Sequence, residues 1–274
     1  MAADPVLPPQ AASKLEAARR AIASMPGAVI AFSGGADSAL LLRLAVDALG
    51  ARCLAVTALA PTFPPWERAE VDRLVRLLGA RHLYLETREL AREEFARNQP
   101  DRCYHCQVER LRALRGIAEA APDSVVLIGT NADDLADRHR PGRRAAVAAA
   151  VRAPLAEAGL TKQEIREASR ALGLPTWDKP QLACLASRFP YGTRITADHL
   201  QQVAAAEQGL REAGFRDLRV RFHGDVGRIE VGVAELARFA DPLLRTAVAA
   251  AVRAAGFRYA ALDLDGFRSG RLNE

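Results

Sequence analysis

Lysine is almost absent from this chain. Of its 38 Lys and Arg residues only Lys14, Lys162 and Lys179 are lysines, an arginine and alanine bias of the kind genome composition imposes. The formal charge is +5, against 33 Asp and Glu, yet no basic run is long enough to mark a nucleic-acid arm. A basic cleft for small anions is the expectation instead. No apolar stretch approaches the ~20 residues needed to span a bilayer. The opening MAADPVLPPQAASK has no charged-then-apolar signal pattern, so residues 1–14 read as a flexible leader and the protein as soluble and cytoplasmic. Internal repeats are missing, and so are low-complexity tracts beyond the alanine richness. Cysteine is scarce too, at four residues, which in a cytoplasmic chain argues against a disulfide framework.

What is present is an alternation of strand and helix signals. AVIAF (28–32), CLAVTAL (53–59), HLYLE (82–86) and SVVLIGT (124–130) read as short buried strands. Amphipathic helices separate them, from about Ser38 to Leu49, through WERAEVDRLVRLLG to Gly79, and over roughly 107–120. This pattern predicts an α/β fold with a doubly wound parallel sheet, and ligands at the carboxyl ends of its strands. Thr161 with Glu164 three residues on signals a helix start, and Gly173 then Pro175 its stop. The chain thus divides into a nucleotide-type domain over 15–180, a loop over 181–197 and a smaller α+β domain over 198–274. In the last, helices are expected near 198–213 and 242–255, and strands near 217–222, 226–233 and 258–264.

After the first strand comes Ser33-Gly34-Gly35-Ala36-Asp37-Ser38. Two glycines let backbone N–H groups approach an anion, a helix N-terminus adds partial positive charge, and Ser33 and Ser38 can donate to phosphate oxygens. Asp37 cannot bind phosphate directly and is better suited to Mg²⁺ or to orienting the loop. A helix-capping serine-glycine turn explains the Gly and Ser residues but not the whole string. The Walker loop G-x-x-x-x-G-K-[ST] has no match here, and its lysine in particular is lacking. After the fourth strand, IGTNADDLADRHRPG places Gly129 and Thr130 for nucleotide contact. Asp133, Asp134 and Asp137 there suit a cation or the acceptor, and Arg140 a phosphate; a solvated acidic loop is the plainer alternative.

Cys53 sits in a strand pattern and reads as a core residue. Cys103 and Cys106, in DRCYHCQ, have the C-x-x-C spacing of two ligands on one metal; zinc, a redox pair and a cluster all remain open. Cys184 lies in KPQLACLASRFPYG beside Lys179, Ser187 and Arg188. Positive neighbours favour a thiolate, which makes Cys184 a nucleophile, sulfur donor or third ligand. In RVRFHGDVGRIEV, strand alternation puts Arg219, Arg221 and His223 on one face, either for an anion or simply toward solvent.

SGGADS resembles the SGGxDS signature of the PP-loop ATP pyrophosphatases, which cleave ATP between the α- and β-phosphates. That resemblance accounts for a cradle without the Walker lysine, because no γ-phosphoryl group is transferred. SGGADS, TNADD…RPG, GLPTWDKPQLACLASRFPYGTRIT, RVRFHGDVGRIEV and ALDLDGFRSGRLNE together look like the LarE-type ATP-dependent sulfur transferases, over nearly the whole chain after the leader. The resemblance implies adenylylation of pyridinium-3,5-biscarboxylic acid mononucleotide and conversion to a thiocarboxylate, for the nickel-pincer nucleotide cofactor of lactate racemase. It implies an adenine nucleotide α-hydrolase-like PP-loop domain and ATP with Mg²⁺. Ser33, Gly34, Gly35, Asp37, Ser38, Gly129, Thr130 and Asp133 would be the nucleotide site, with Asp37 and Cys184 catalytic. It also implies that Ser187, Arg188, Glu207, Arg219 and Arg221 hold the substrate. In single-cysteine members the residue matching Cys184 gives up its sulfur and is left as dehydroalanine. The extra Cys103 and Cys106 instead resemble the three-cysteine members, which implies a [4Fe-4S] cluster on Cys103, Cys106 and Cys184. A homo-oligomer and a downstream nickel-inserting maturation protein are the expected partners.

A tRNA thiolase would share the adenylylation and the three cysteines, but no dedicated RNA-binding module or strong basic stretch is visible. An ammonia-dependent adenylylating ligase explains SGGADS and leaves the three cysteines unused. A zinc-stabilised nucleotide-binding module without catalysis predicts zinc and no pyrophosphate release.

Overall fold

The computed structural model describes residues 7–121, 123–136, 151–180 and 183–268. The chain forms two compact units. The first comprises Met1–Ala60, Glu67–Glu89 and Cys103–Leu182, and the second Pro61–Trp66, Leu90–Arg102 and Ala183–Glu274.

The first unit is α/β. Helix α1 (Pro9–Ala23) leads into strand β1 (Gly27–Ala31), α2 (Ala36–Leu49), β2 (Cys53–Leu59), α3 (Glu67–Leu78) and β3 (Arg81–Glu86). After a short helix α4 (Glu93–Ala96) in the second unit come α5 (Arg102–Ala120), β4 (Ser124–Ile128), α6 (Ala132–Ala136), α7 (Pro154–Glu157) and α8 (Lys162–Ala171). The four strands are parallel in the order β3-β2-β1-β4. Central β1 is apolar on both faces, as strands covered on both sides must be. On one face Val29, Val56, Val126 and Ile128 pack with Leu111, Leu114 and Ala118 of α5. The other face carries α2, which packs with α1 and α8. Leu40, Leu41, Leu42 and Leu44 of α2 are fully buried, each worth about 1.5–3 kcal/mol. β1 and β4 are neighbours whose connections run to opposite sides, so the switch-point crevice opens at their carboxyl ends.

The capping box forms as predicted: Glu164 N–H donates to Thr161 Oγ1 at 3.3 Å, and Thr161 N–H donates to Glu164 Oε2 at 2.8 Å. The leader is not flexible through residue 14, because α1 starts at Pro9. Proline suits a first helical position, where its missing N–H costs nothing, and Ala11, Leu15, Ala18 and Ile22 then form a buried stripe. Helix α5 begins at Arg102, earlier than the expected start near 107, so the C-x-x-C pair lies in its first turns.

In the second unit α9 (Ala197–Glu212) precedes an antiparallel hairpin of β5 (Leu218–His223) and β6 (Val226–Val231). Helix α10 (Pro242–Ala254) then leads to β7 (Tyr259–Leu262), parallel to β6. Thr196 caps α9 by accepting from His199 N–H at 3.2 Å, and Asp241 caps α10 by accepting from Leu243 N–H at 2.9 Å. Phe189, Phe222 and Phe257 build the core, with centroids 5.1 and 5.9 Å apart in succession. No helix among the described residues is long and apolar enough to cross a membrane.

Candidate active site

The glycine loop bridges the end of β1 and the start of α2. Gly34 has φ +75°, a left-handed conformation that an L side chain resists, and a Cβ there would meet Val71 Cγ2 at 3.0 Å. Gly35 is the N-cap of α2 and brings no capping side chain, so the first-turn N–H groups face the crevice without one. Ser38 Oγ donates to Gly35 O at 3.1 Å, accepts from Ser33 N–H at 3.3 Å and lies 3.1 Å from Ser33 Oγ. The two hydroxyls thus close the loop on itself. Asp37 falls in the first turn of α2.

The residues after β4 come to the same place. A Cβ on Gly129 would lie 2.9 Å from Ser38 N and 3.1 Å from Asp37 C, so only glycine lets the end of β4 pass this closely under α2. Thr130 follows, half-buried. Asn131 Nδ2 donates to Asp37 Oδ2 at 3.3 Å, and Asn131 Oδ1 accepts from Asp134 N–H at 2.9 Å. Asp133 accepts the backbone N–H of Lys162 at 2.8 Å, so this carboxylate anchors α8. Asp137 and Arg140 lie outside the described residues.

Two lysines that sequence reasoning left out of the cradle complete it. Lys162 Nζ donates to Asp37 Oδ1 at 2.6 Å. Lys179 Nζ donates to Gly34 O at 3.2 Å and to Glu67 Oε2 at 2.7 Å, and its own carbonyl accepts from Arg166 Nη2 at 3.1 Å. The sequence makes Lys179 a positive neighbour of Cys184, whereas the structure commits its ammonium to the loop carbonyl and to Glu67. The available signal was rarity: two of only three lysines converge on one loop.

Cys103 and Cys106 stand one turn apart on one face of α5, Cys103 exposed and Cys106 half-buried. Cys106 Sγ lies 3.7 Å from Glu89 Oε1, which also accepts from Arg110 Nη2 at 3.1 Å. Burial raises the Glu89 pKa, but the Arg110 charge and hydrogen bonds from Thr87 and Arg110 outweigh it and hold Glu89 below the ordinary value. Among the described residues no group of three or more His, Cys, Asp or Glu side chains is arranged to hold a metal ion. The cysteine pair nevertheless fits a two-ligand contribution, with both thiols on the same helix face. Cys53 is buried, which pushes its thiol up to about 11, as befits an inert core residue.

In the second unit Cys184 heads a 3₁₀ turn over Leu185–Arg188. Its carbonyl accepts from Ser187 Oγ at 2.9 Å and from Arg188 Nη1 at 3.1 Å. Leu185 N–H donates to Thr62 O at 2.9 Å. Arg188 and Glu207, both expected to hold substrate, hold each other: Nε and Nη2 donate to the two carboxylate oxygens at 2.8 and 2.9 Å, with the side chains 2% and 0% exposed. Glu207 Oε1 also accepts from Val220 N–H at 3.0 Å. Arg221 donates to Glu230 Oε2 at 3.0 Å and to Ser187 O at 2.6 Å. This strand is therefore no solvent-facing basic ribbon. Arg219 lies over the Phe267 ring, 4.7 Å from its centroid, and donates to Leu218 O. Burial and then the charge of Arg188 pull Arg219 down to about 10, Arg221 and Arg211 adding to the effect and Glu207 opposing it. A cavity of about 220 Å³ opens beside these groups, lined by Arg188, Pro190, Tyr191, Arg221, His223, Arg228 and Glu230. With three arginines to one carboxylate, its walls favour an anion.

No family model matches the chain. It is 38% identical over 255 residues, 93% of this chain and 91% of the relative, to the pyridinium-3,5-bisthiocarboxylic acid mononucleotide synthase of Lactiplantibacillus plantarum. A protein of Synechocystis sp. designated slr1717 is 40% identical over 261 residues, 95% of this chain and 97% of its own. The protein MJ0830 of Methanocaldococcus jannaschii is 28% identical over 203 residues, covering 74% and 77% of the two chains.

Proposed function

The chain belongs to the family of LarE-type ATP-dependent sulfur transferases, the pyridinium-3,5-bisthiocarboxylic acid mononucleotide synthases, and we propose from that premise that it performs their two-stage reaction. A carboxylate of pyridinium-3,5-biscarboxylic acid mononucleotide attacks the α-phosphorus of ATP; the α–β bridge bond breaks, giving an acyl adenylate and pyrophosphate. A sulfur nucleophile then attacks the acyl carbon and AMP leaves, so that one oxygen of the carboxylate ends up replaced by sulfur. The observation that carries the first stage is the glycine loop. Its hydroxyls, the uncapped start of α2 and the absence of a Walker lysine suit an outgoing pyrophosphate. Ser33, Gly34, Gly35 and Ser38 would bind that group, while Gly129 and Thr130 line the nucleotide. Asp37 would hold Mg²⁺, with Asp133 fixing the helix behind it.

For the second stage we assign Cys184 as the sulfur-bearing position. Arg188, held by Glu207, positions its turn. Arg221 and Arg219, beside the basic cavity, would meet the phosphate or carboxylates of the substrate, since a guanidinium fork pairs bidentately with such oxyanions. Cys103 and Cys106 would join Cys184 as ligands of a [4Fe-4S] cluster, and that cluster, when bound, supplies an open iron able to carry an extra sulfide. The competing route takes the sulfur of Cys184 itself. Iron and sulfide analysis of anaerobically purified protein, with intact mass after one turnover, separates them: iron with an unchanged chain supports the cluster, and loss of one sulfur at Cys184 without iron supports sacrifice. We propose the reducing cytoplasm as its location, where cysteines are kept from pairing as disulfides. A homo-oligomer and a nickel-inserting protein that takes the product complete the proposal.

The overall reading is tested by incubating the protein with ATP and the biscarboxylate substrate. The expected product has the mass of the substrate with oxygen exchanged for sulfur; consumption of ATP with the substrate mass unchanged would refute it. The cradle has its own test. Gly129→Ala forces a methyl against the backbone of Asp37 and Ser38, an overpacking that costs about 1–3 kcal/mol. Binding of a fluorescent ATP analogue should fall about two- to twelvefold if half of that strain is relieved by moving the first turn of α2. Unchanged affinity would remove Gly129 from the site.

A further inference from the structure

We infer that Lys162 is the phosphate-binding cation of this site, delivered from α8 in place of the lysine the glycine loop lacks; the inference rests on the adenylylation reading above. Everywhere but at three positions the chain uses arginine for positive charge, and Lys14 pairs with Glu164 at 2.8 Å. The other two lysines both touch the cradle, where a compact ammonium on a flexible stem can move between oxygens as an arginine fork cannot.

The geometry divides their work. Lys179 is the more buried, at 17% exposed, and is held by Glu67. It donates to the carbonyl of Gly34, and because the peptide is planar and trans this fixes the direction of the Gly35 N–H. Lys179 is therefore a positioning residue. The stem of Lys162 is rooted by its own N–H on Asp133, while its side chain remains 34% exposed and its ammonium rests on Asp37. Asp37 stands in the first turn of α2, the turn whose open N–H groups would receive the anion. An unneutralised carboxylate there would repel phosphate; Lys162 cancels it. When a multiply charged anion arrives, the ammonium can turn from Asp37 to the new oxygens, and Asp37 keeps the hydrogen bond from Asn131. The released carboxylate is then available for the cation that accompanies ATP.

The test uses the full chain in Mg²⁺ buffer, with inorganic pyrophosphate or AMP displacing a fluorescent ATP analogue. In the wild-type protein both should displace it. Lys162→Ala and the unbranched, donor-free Lys162→Met should weaken pyrophosphate about 10- to 100-fold, the loss of one charge-assisted hydrogen bond, and leave AMP unchanged. Lys162→Arg should recover part of the loss. Pyrophosphate affinity unchanged in both neutral variants, or AMP weakened as much as pyrophosphate, would overturn the inference while leaving the adenylylation reading intact. Failure of pyrophosphate to displace the analogue from wild-type protein would take down that reading, and this inference with it.

Discussion

Cys184→Ser protein given ATP and the biscarboxylate nucleotide is expected to release pyrophosphate and make no thiocarboxylate. The substitution changes one atom at the head of a turn whose backbone is pinned by Ser187 and Arg188, so the loop keeps its shape. A hydroxyl cannot stand in for the thiol, whether the sulfur ligates a cluster or is itself transferred. Removing such a group costs on the order of 10³-fold or more, and thiocarboxylate formation should fall below about a thousandth of the wild-type rate. Adenylylation draws on the glycine loop in the other unit, so substrate-dependent exchange of labelled pyrophosphate into ATP should persist. Mass spectrometry of the product and the exchange assay read the two stages separately. Thiocarboxylate made at the normal rate would remove Cys184 from the chemistry; loss of exchange as well would tie this residue to the adenylate.

Glu207→Ala should be the most destabilising substitution in the second unit. It strands the Arg188 guanidinium, 2% exposed, without its carboxylate, and also removes the acceptor of the Val220 N–H. A buried charge left alone costs about 3–5 kcal/mol. Arg219 and Arg221 sharpen the penalty, because Glu207 opposes their mutual repulsion with Arg188 and Glu230 is already shared by Arg221 and Arg228. Trp66 belongs to this unit, under the guanidinium of Arg211 at 4.3 Å, and Trp177 belongs to the other. In a Trp177→Phe background, urea denaturation followed by tryptophan fluorescence therefore reports the second unit. The double variant Arg188→Met/Glu207→Leu should recover most of the loss, as apolar replacements of buried pairs do. A Glu207→Ala midpoint within error of the parent would show that the pair is dispensable.

How far these residues were readable in advance depended on the range of the signal. The strands were legible because apolar runs bounded by turns act locally, and every sheet strand falls close to its expected bounds. Thr161 and Glu164 were legible for the same reason, since a capping box is set by residues three apart. The parallel order then put SGGADS and Gly129 at one switch point. Partners distant in sequence were not legible. Nothing in SGGADS announces Lys162, 125 positions from Asp37, and nothing in the alternation of β5 announces that Arg221 would be buried against Glu230. The pairing of Arg188 with Glu207 was not legible though both residues were named, because charge suggests a ligand until burial shows a neighbour. Segments Pro61–Trp66 and Leu90–Arg102 join the second unit through contacts such as Leu185 N–H to Thr62 O, which no linear reading of composition reveals.

The proposed chemistry begins with the glycine loop gripping a diphosphate leaving group. The most direct test follows ATP labelled in the γ position through one reaction with the biscarboxylate substrate and separates the labelled products. Label is expected in pyrophosphate, in step with AMP. Label in inorganic phosphate, with ADP as its companion, would contradict that role of the loop.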